Sequence, residues 1–260
     1  MKNLFDIEGK VALVTGGSRG IGLMIAEGLI DAGVKVYVSS RKKDVCDEVA
    51  ARLSEKGSCI SIPADISTLE GITGLVEEIK TKESKLDILV NNAGVTWGAT
   101  FEDFPDKAWD RVLNLNVRAP FNLTQQLLPL LKKSGSNEDP ARVINIGSIA
   151  GFQAESIQAF SYGPSKAAIH QLTKMLAGEL ARHKITVNCI APGPFPSQMT
   201  AFALNNESSR KMMENQVPLG RIGEREDMAG LVIFLTSRAG AYMTGNVIPL
   251  DGGMLVKAYP

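Results

Sequence analysis

Short apolar runs alternate with longer amphipathic stretches along the chain. The β-rich runs are Val11–Thr15, Val34–Ser39, Ser58–Pro63, Leu86–Asn91, Arg142–Ser148, Thr186–Ala191 and Asn246–Leu250. Runs such as VALV and DILV are apolar at nearly every position, the pattern of parallel strands covered on both faces. Between them the spacing turns helical: in GIGLMIAEGLIDAG, Ile21, Met24, Ile25, Gly28 and Leu29 share one face. The alternation predicts an α/β, single-domain Rossmann-like fold, a doubly wound parallel sheet of about seven strands with helices on both faces. Ligands of such sheets bind beyond the carboxyl ends of the strands, where strand order reverses.

No linker or repeat divides the 260 residues, which one large core accommodates. The polar segment SGSNED, Ser134–Asp139, with Pro140 after it, reads as a surface loop. From Pro192 to Val217 the pattern is irregular: PGPFP, then AFALNNESSRKMMENQV, with room for one or two short helices. Residues 194–217 suit either a substrate flap or an ordinary long connection.

Apolar residues at 44% and charged residues at 22% are near ordinary globular usage, which argues against a disordered or fibrous chain. Twenty-eight basic and 28 acidic side chains balance, so neither nucleic acid nor an anionic membrane is an expected partner. Cys46, Cys59 and Cys189 lack metal-ligand spacing, and an odd count suits a reducing compartment. The opening MKNLFDIEGKVALV has no basic leader followed by a sustained apolar run, and no segment approaches the roughly 18 to 20 apolar residues of a membrane span. A cytoplasmic protein is expected. His170 and His183 have no partners at ligand spacing, so no metal is expected, and packing or surface roles suffice for both.

Chemistry first shows in TGGSRGIG, Thr15 to Gly22, between the first strand and the first helix. Gly16 and Gly20 admit dihedrals closed to bulkier residues and let backbone amides approach a pyrophosphate, while Gly22 permits close helix–strand packing. A helix starting near Ser18 or Arg19 would point free N–H groups at the phosphates. Dinucleotide binding is the expectation, with another phosphate ligand or a purely structural turn as the alternatives. The second strand ends in Ser39, Ser40 and Arg41, without the carboxylate that commonly binds ribose hydroxyls in NAD sites. Arg19 and Arg41 together would attract a 2′-phosphate, so NADP(H) is the expected cofactor. Asp65 and Ile66 follow the third strand and Asn92, Ala93 and Gly94 the fourth, all at cofactor positions, although both segments also suit ordinary caps and turns.

In SYGPSKAAIHQL, Tyr162 and Lys166 lie four residues apart, one turn along a helix face. A water-exposed tyrosine, with pKa about 10, is a poor acid–base near neutrality. A nearby ammonium lowers that value. Pro164, tolerated in a first helical turn but costly in an interior, suggests a helix that starts close to Tyr162 or is locally irregular there.

With these motifs in order, the sequence resembles the short-chain dehydrogenase/reductase family over nearly the whole chain. The glycine turn, NNAG at Asn91–Gly94, the serine of INIGS and the YxxxK pair all match. The resemblance implies catalytic roles for Asn116, Ser148, Tyr162 and Lys166, with Tyr162 and Lys166 also contacting cofactor. It adds Pro192, Gly193, Phe195 and Ser197 to the cofactor site, Ser197 standing where the family often has threonine. Ser148 alone would read as a helix cap and Asn116 as a loop-stabilising amide; the joint pattern favours catalysis.

Within the family the chain looks most similar to bacterial 3-oxoacyl-thioester reductases, the rhamnolipid-associated β-ketoacyl reductases among them. This implies NADPH-dependent reduction of a ketone, with a sugar or polyol dehydrogenase of gluconate 5-dehydrogenase type, or a steroid or small cyclic ketone reductase, as alternatives. A non-enzymatic NADPH-sensing or structural subunit is the remaining reading. Ser148, Tyr162, Gln158, Trp97 and Met199 are the expected substrate contacts. Ile149, Phe195, Phe202, Met212 and Met213 are further candidates for an apolar channel, although such residues also commonly form core. The family resemblance also implies a homotetramer.

Overall fold

The computed structural model of the chain describes residues 3–154, 158–197 and 206–256. Seven strands form one parallel sheet: β1 (Val11–Thr15), β2 (Lys35–Ser39), β3 (Cys59–Ser61), β4 (Ile88–Asn91), β5 (Ala141–Ile146), β6 (Ile185–Pro192) and β7 (Val247–Leu250). Their spatial order is β3-β2-β1-β4-β5-β6-β7, so the order reverses between β1 and β4, where an open sheet leaves a crevice at its carboxyl edge. β3 is shorter than the apolar run suggests, yet the ladder continues past it: Val36 N donates to Ser58 O and Ile62 N to Val38 O.

Because successive strand residues point to opposite faces, each strand feeds two cores. Ala12, Val14, Val36, Val38, Ile88 and Val90 face α1 (Gly20–Asp31), α2 (Lys43–Ser54) and a late helix, Arg225–Thr236. Leu13, Tyr37, Leu89, Val143 and Val187 face α3 (Leu69–Lys82), α5 (Ala119–Ser134) and α6 (Tyr162–Leu180). Burial on both faces explains why these strands are apolar throughout rather than alternating. Among the described residues the two remaining α-helices are α4 (Lys107–Leu113) and α7 (Glu207–Gln216), which makes Arg225–Thr236 α8.

α1 and α8 meet closely: a methyl added at Gly28 would lie 2.5 Å from Ala229 Cβ. α4 runs into α5 through a π-helical turn, Asn114–Arg118, with no break in the helical backbone. That continuity is absent from the local sequence pattern. α6 begins at Tyr162, as Pro164 in its first turn requires.

At the amino ends of the strands lies a polar foot. Arg142, 1% exposed, donates to the carbonyls of Leu235 (3.0 Å) and Ser237 (2.8 Å) and pairs with Asp139 at 2.9 Å. Asp87 accepts from Val11 N at 2.8 Å, from Lys85 and from Ser134, joining β1, β4 and the end of α5. A buried guanidinium and a buried carboxylate thus tie together the ends of segments far apart in sequence.

Candidate active site

Three strand ends are joined where the order reverses. Gly16 N donates to Ser39 O at 2.7 Å, linking β1 to β2. The Thr15 hydroxyl accepts from Asn92 N and Ala93 N, both at 3.1 Å, and donates to Val90 O, linking β1 to β4. Asn92 Nδ2 returns to Thr15 O at 2.9 Å and Gly16 O at 3.2 Å. Asn92 is therefore a brace of the turn, and Thr15, whose hydroxyl holds both segments, is a site residue that the glycine pattern alone does not single out.

The cradle between them needs its glycines. Gly16 and Gly20 have φ of +64° and +53°, in the left-handed region. A methyl at Gly22 would lie 2.2 Å from Gly16 O and 2.3 Å from Asn92 Nδ2. Arg19 is the N-cap of α1, makes no side-chain cap, and is followed by a first turn without acidic residues. Uncapped N–H groups and an unopposed helix dipole suit an anion. Ser18 is buried in the turn, and Ser197, arriving from beyond β6, would stand with its Cβ 3.3 Å from a methyl at Gly20. The residues present therefore fit a dinucleotide pyrophosphate. Arg19 and Arg41 are exposed and unpaired among the described residues, Ser40 is half-buried beside Arg41, and Ile66 is buried below the third strand's end. Asp65 accepts from Ser67 N and Oγ, so one carboxylate oxygen also shapes the turn into α3.

The second group of side chains converges on the ends of β4 and β5. Lys166, 5% exposed, sends its Nζ to Ile146 O at 2.8 Å and stands 5.5 Å from the Tyr162 ring centroid. Burial pushes its pKa down to about 8, so it remains mostly protonated at neutrality. Asn116 lies in the π-helical turn, a local widening often found at functional sites. Its Oδ1 accepts from Val95 N at 2.9 Å; its Nδ2 donates to Val95 O (2.9 Å) and Ser165 Oγ (3.0 Å). A methyl at Gly94 would meet Asn116 Oδ1 at 3.3 Å and Lys166 Nζ at 3.7 Å, so these three residues are neighbours. Both N–H groups of Asn116 are used, and Oδ1 retains one lone pair.

Ser148 leaves β5 in extended conformation and starts a short 3₁₀ turn, Ile149–Gly151, with its Oγ accepting from Ala150 N at 3.2 Å. The capping and loop-bracing roles that the sequence offered as alternatives for Ser148 and Asn116 are both present. They fix the two side chains in place and leave the serine hydroxyl proton available to donate. Beneath the site, Asn91 and Asn145 face each other across β4 and β5 and bond at 2.9 Å, and Asn145 continues to Thr173 on α6. Their register across adjacent strands is the signal that finds them.

Other expected contacts fare unevenly. Pro192 ends β6, and Gly193 N donates to Leu250 O with no room for a methyl beside Asp251. Phe195 is corrected as a channel wall. It is 3% exposed in the core, and a methyl on Gly223 would fall 2.3 Å from its ring, so any cofactor contact would come from its backbone. Ile149 is also buried, whereas Met212 on α7 is exposed. Trp97 is flanked by Lys107 Nζ at 5.6 Å and Arg111 at 5.2 Å from its ring. The Gln158 carbonyl accepts from Ala99 N at 2.9 Å, which brings the segments after β4 and before α6 together. Met199 and Phe202 lie outside the described residues.

The sequence matches the family described as Enoyl-(Acyl carrier protein) reductase over residues 16–255. It is 53% identical over 253 residues to the rhamnolipids biosynthesis 3-oxoacyl-(acyl-carrier-protein) reductase of Pseudomonas aeruginosa, covering 97% of this chain and 99% of the relative. It is 36% identical over 257 residues to the 2-dehydro-3-deoxy-D-gluconate 5-dehydrogenase of Dickeya dadantii, with 98% and 99% covered. Among solved structures, the Pseudomonas aeruginosa RhlG/NADP active-site complex superposes with a TM-score of 0.94 at 52% identity, covering 98% of this chain and 99% of that one. With likeness running from the glycine cradle to the last strand and beyond, in sequence and in fold, the chain belongs to the short-chain dehydrogenase/reductase family.

Proposed function

We propose that the protein reduces a 3-oxoacyl thioester to its 3-hydroxyacyl form with NADPH. The observation that carries the reading is a buried, charged Lys166 whose Nζ stands 5.5 Å from the Tyr162 ring and bonds the carbonyl of Ile146, two residues before Ser148. The end-to-end likeness to a 3-oxoacyl-(acyl-carrier-protein) reductase supports the substrate class, and the NADP complex among similar structures supports the cofactor.

When bound, NADPH supplies the hydride. Ser148 donates its hydroxyl proton to the substrate carbonyl oxygen, holding it where alkoxide charge develops. Tyr162 delivers the proton that completes the alcohol. Lys166 provides the positive field that favours the phenolate left behind, and the spare lone pair of Asn116 holds the water that returns a proton towards Lys166. The cradle from Gly16 to Gly22, with Asp65, Ile66, Ala93, Gly94, Gly193 and Ser197 around it, orients the cofactor, and Gln158 and Trp97 line the substrate side. A substrate-flap role for residues 194–217 is part of this proposal: α7 has no buried side chain, while Phe195 and Val217 near the two ends of the segment are buried and would anchor it.

The protein works in the cytoplasm as a homotetramer. No helix among the described residues is long and apolar enough to cross a membrane. Its three cysteines are free and buried, as suits a reducing compartment. Trp109, Leu113 and Phe121 on α4 and α5 are exposed, which suits a subunit contact there.

A sugar-acid dehydrogenase is the second reading, favoured by the gluconate 5-dehydrogenase relative. Turnover of 3-oxoacyl thioesters, keto-sugar acids and cyclic ketones with both nicotinamides separates the two. Tyr162→Phe should lower kcat on the best substrate by a factor on the order of 100 or more, leaving NADPH binding intact. Retained turnover would remove Tyr162 from the chemistry.

A further inference from the structure

Two glycines flank the turn that begins at Ser148, and neither Gly147 nor Gly151 takes a positive φ. What both lack is room: His170 is the nearest obstacle at each, joined by Cys189 at Gly147 and by the backbone of Lys166 and Ala167 at Gly151. A methyl at Gly147 would lie 2.4 Å from His170 Nε2 and 2.8 Å from Cys189 Sγ; one at Gly151 would lie 2.5 Å from His170 Cε1. The imidazole, 6% exposed on α6, is therefore a wedge between the segments entering and leaving Ser148–Ala150. Phe152 packs on it at 4.7 Å between ring centroids.

Its Nε2 has no hydrogen-bond partner among the described residues, so at that edge the ring supplies volume rather than a bond. Burial, with Lys166 and Lys174 nearby, pushes its pKa down to about 4, and the wedge is uncharged at neutral pH. Ser148 depends on what the wedge supports. Its Oγ is held by Ala150 N, and the next residue in the turn, Gly151, rests against the ring.

We propose that His170 is a positioning residue, a spacer whose shape sets the 3₁₀ turn after β5 and, through it, the direction of the Ser148 hydroxyl. The inference rests on the carbonyl-binding role proposed for Ser148. A hydroxyl displaced by about 1 Å loses roughly ten- to a hundredfold in rate, while a cofactor held elsewhere is unaffected.

The test uses the full-length protein, NADPH and a 3-oxoacyl thioester of coenzyme A, reading kcat, KM and the NADPH dissociation constant. Ser148→Ala must be impaired; if it is not, the role of Ser148 fails and the spacer role with it. His170→Ala is expected to lose roughly ten- to a hundredfold in kcat with NADPH affinity unchanged. Gly147→Ala alone should lose similarly, and the combined variant should exceed both singles, because the added methyl enters the vacated space. His170→Leu, which refills the wedge without a ring nitrogen, should stay near wild type, and it decides the matter if the alanine variants do not fold. The proposal is overturned if Ser148→Ala is impaired while folded His170→Ala keeps its kcat. It is equally overturned if the combined variant shows the product of the two losses, if NADPH affinity falls in step with kcat, or if His170→Leu is as impaired as Ser148→Ala.

Discussion

Burial strips Lys166 of water, while its ammonium keeps the Ile146 carbonyl as partner and its pKa falls to about 8. Below that pH the folded and unfolded states both carry the proton, and the penalty of a buried charge is present in full. As pH rises from about 8 towards the unfolded value near 10.5, the folded state releases its proton first and the penalty fades. Lys166→Met should therefore be inactive yet more stable than wild type at pH 7, by about 1 kcal/mol after the orphaned carbonyl is allowed for. Urea melts should show that advantage shrinking by pH 10. At the cofactor end, Arg41→Asp should shift the ratio of KM values towards NADH; an unchanged ratio would deny Arg41 any part in reading a 2′-phosphate. Tyr162 and Lys166 were legible because helical spacing brings them together. His170 was not: its partners Gly147 and Gly151 look like ordinary turn glycines until the fold brings α6 beneath them.

Strands announce themselves through near-uniform apolarity, whereas contacts between helices leave little trace in local sequence. Gly28 is a case in point. Its position on the apolar face of α1 is readable, but the reason for glycine there is Ala229, two hundred residues later on α8. In an isolated helix Gly→Ala would stabilise by about 1 kcal/mol. Here the methyl would meet Ala229 Cβ at 2.5 Å, so Gly28→Ala should instead destabilise by roughly 1 to 2 kcal/mol. Ala229→Gly in the same chain should recover part of the loss in chemical denaturation; simple additivity would mean that the two helices do not compete for that space. The π-helical turn at Asn114–Arg118 likewise has no local signature, because NLNVR alone is indistinguishable from a loop.

For the whole molecule, the carboxyl edge of the sheet gathers the candidate chemistry, and the exposed Trp109, Leu113 and Phe121 suit contact with further copies. Light scattering at micromolar concentration should give about four times the 27.9 kDa chain mass; a monomer would remove the tetramer proposal. The number and direction of the strands followed from the sequence, since helices separate them and parallel pairing needs such crossovers. The polar foot did not, because Arg142 and Asp87 are single charges set in otherwise apolar runs, and two of the carbonyls that Arg142 holds, those of Leu235 and Ser237, lie 93 and 95 residues away. That foot lies at the edge of the sheet opposite the reaction. Work on heat tolerance therefore has a region of its own: ion pairs and hydrogen bonds around Arg142 and Asp87 can be re-engineered, or a surface anchor attached nearby, without rearranging the groups that would handle hydride and proton.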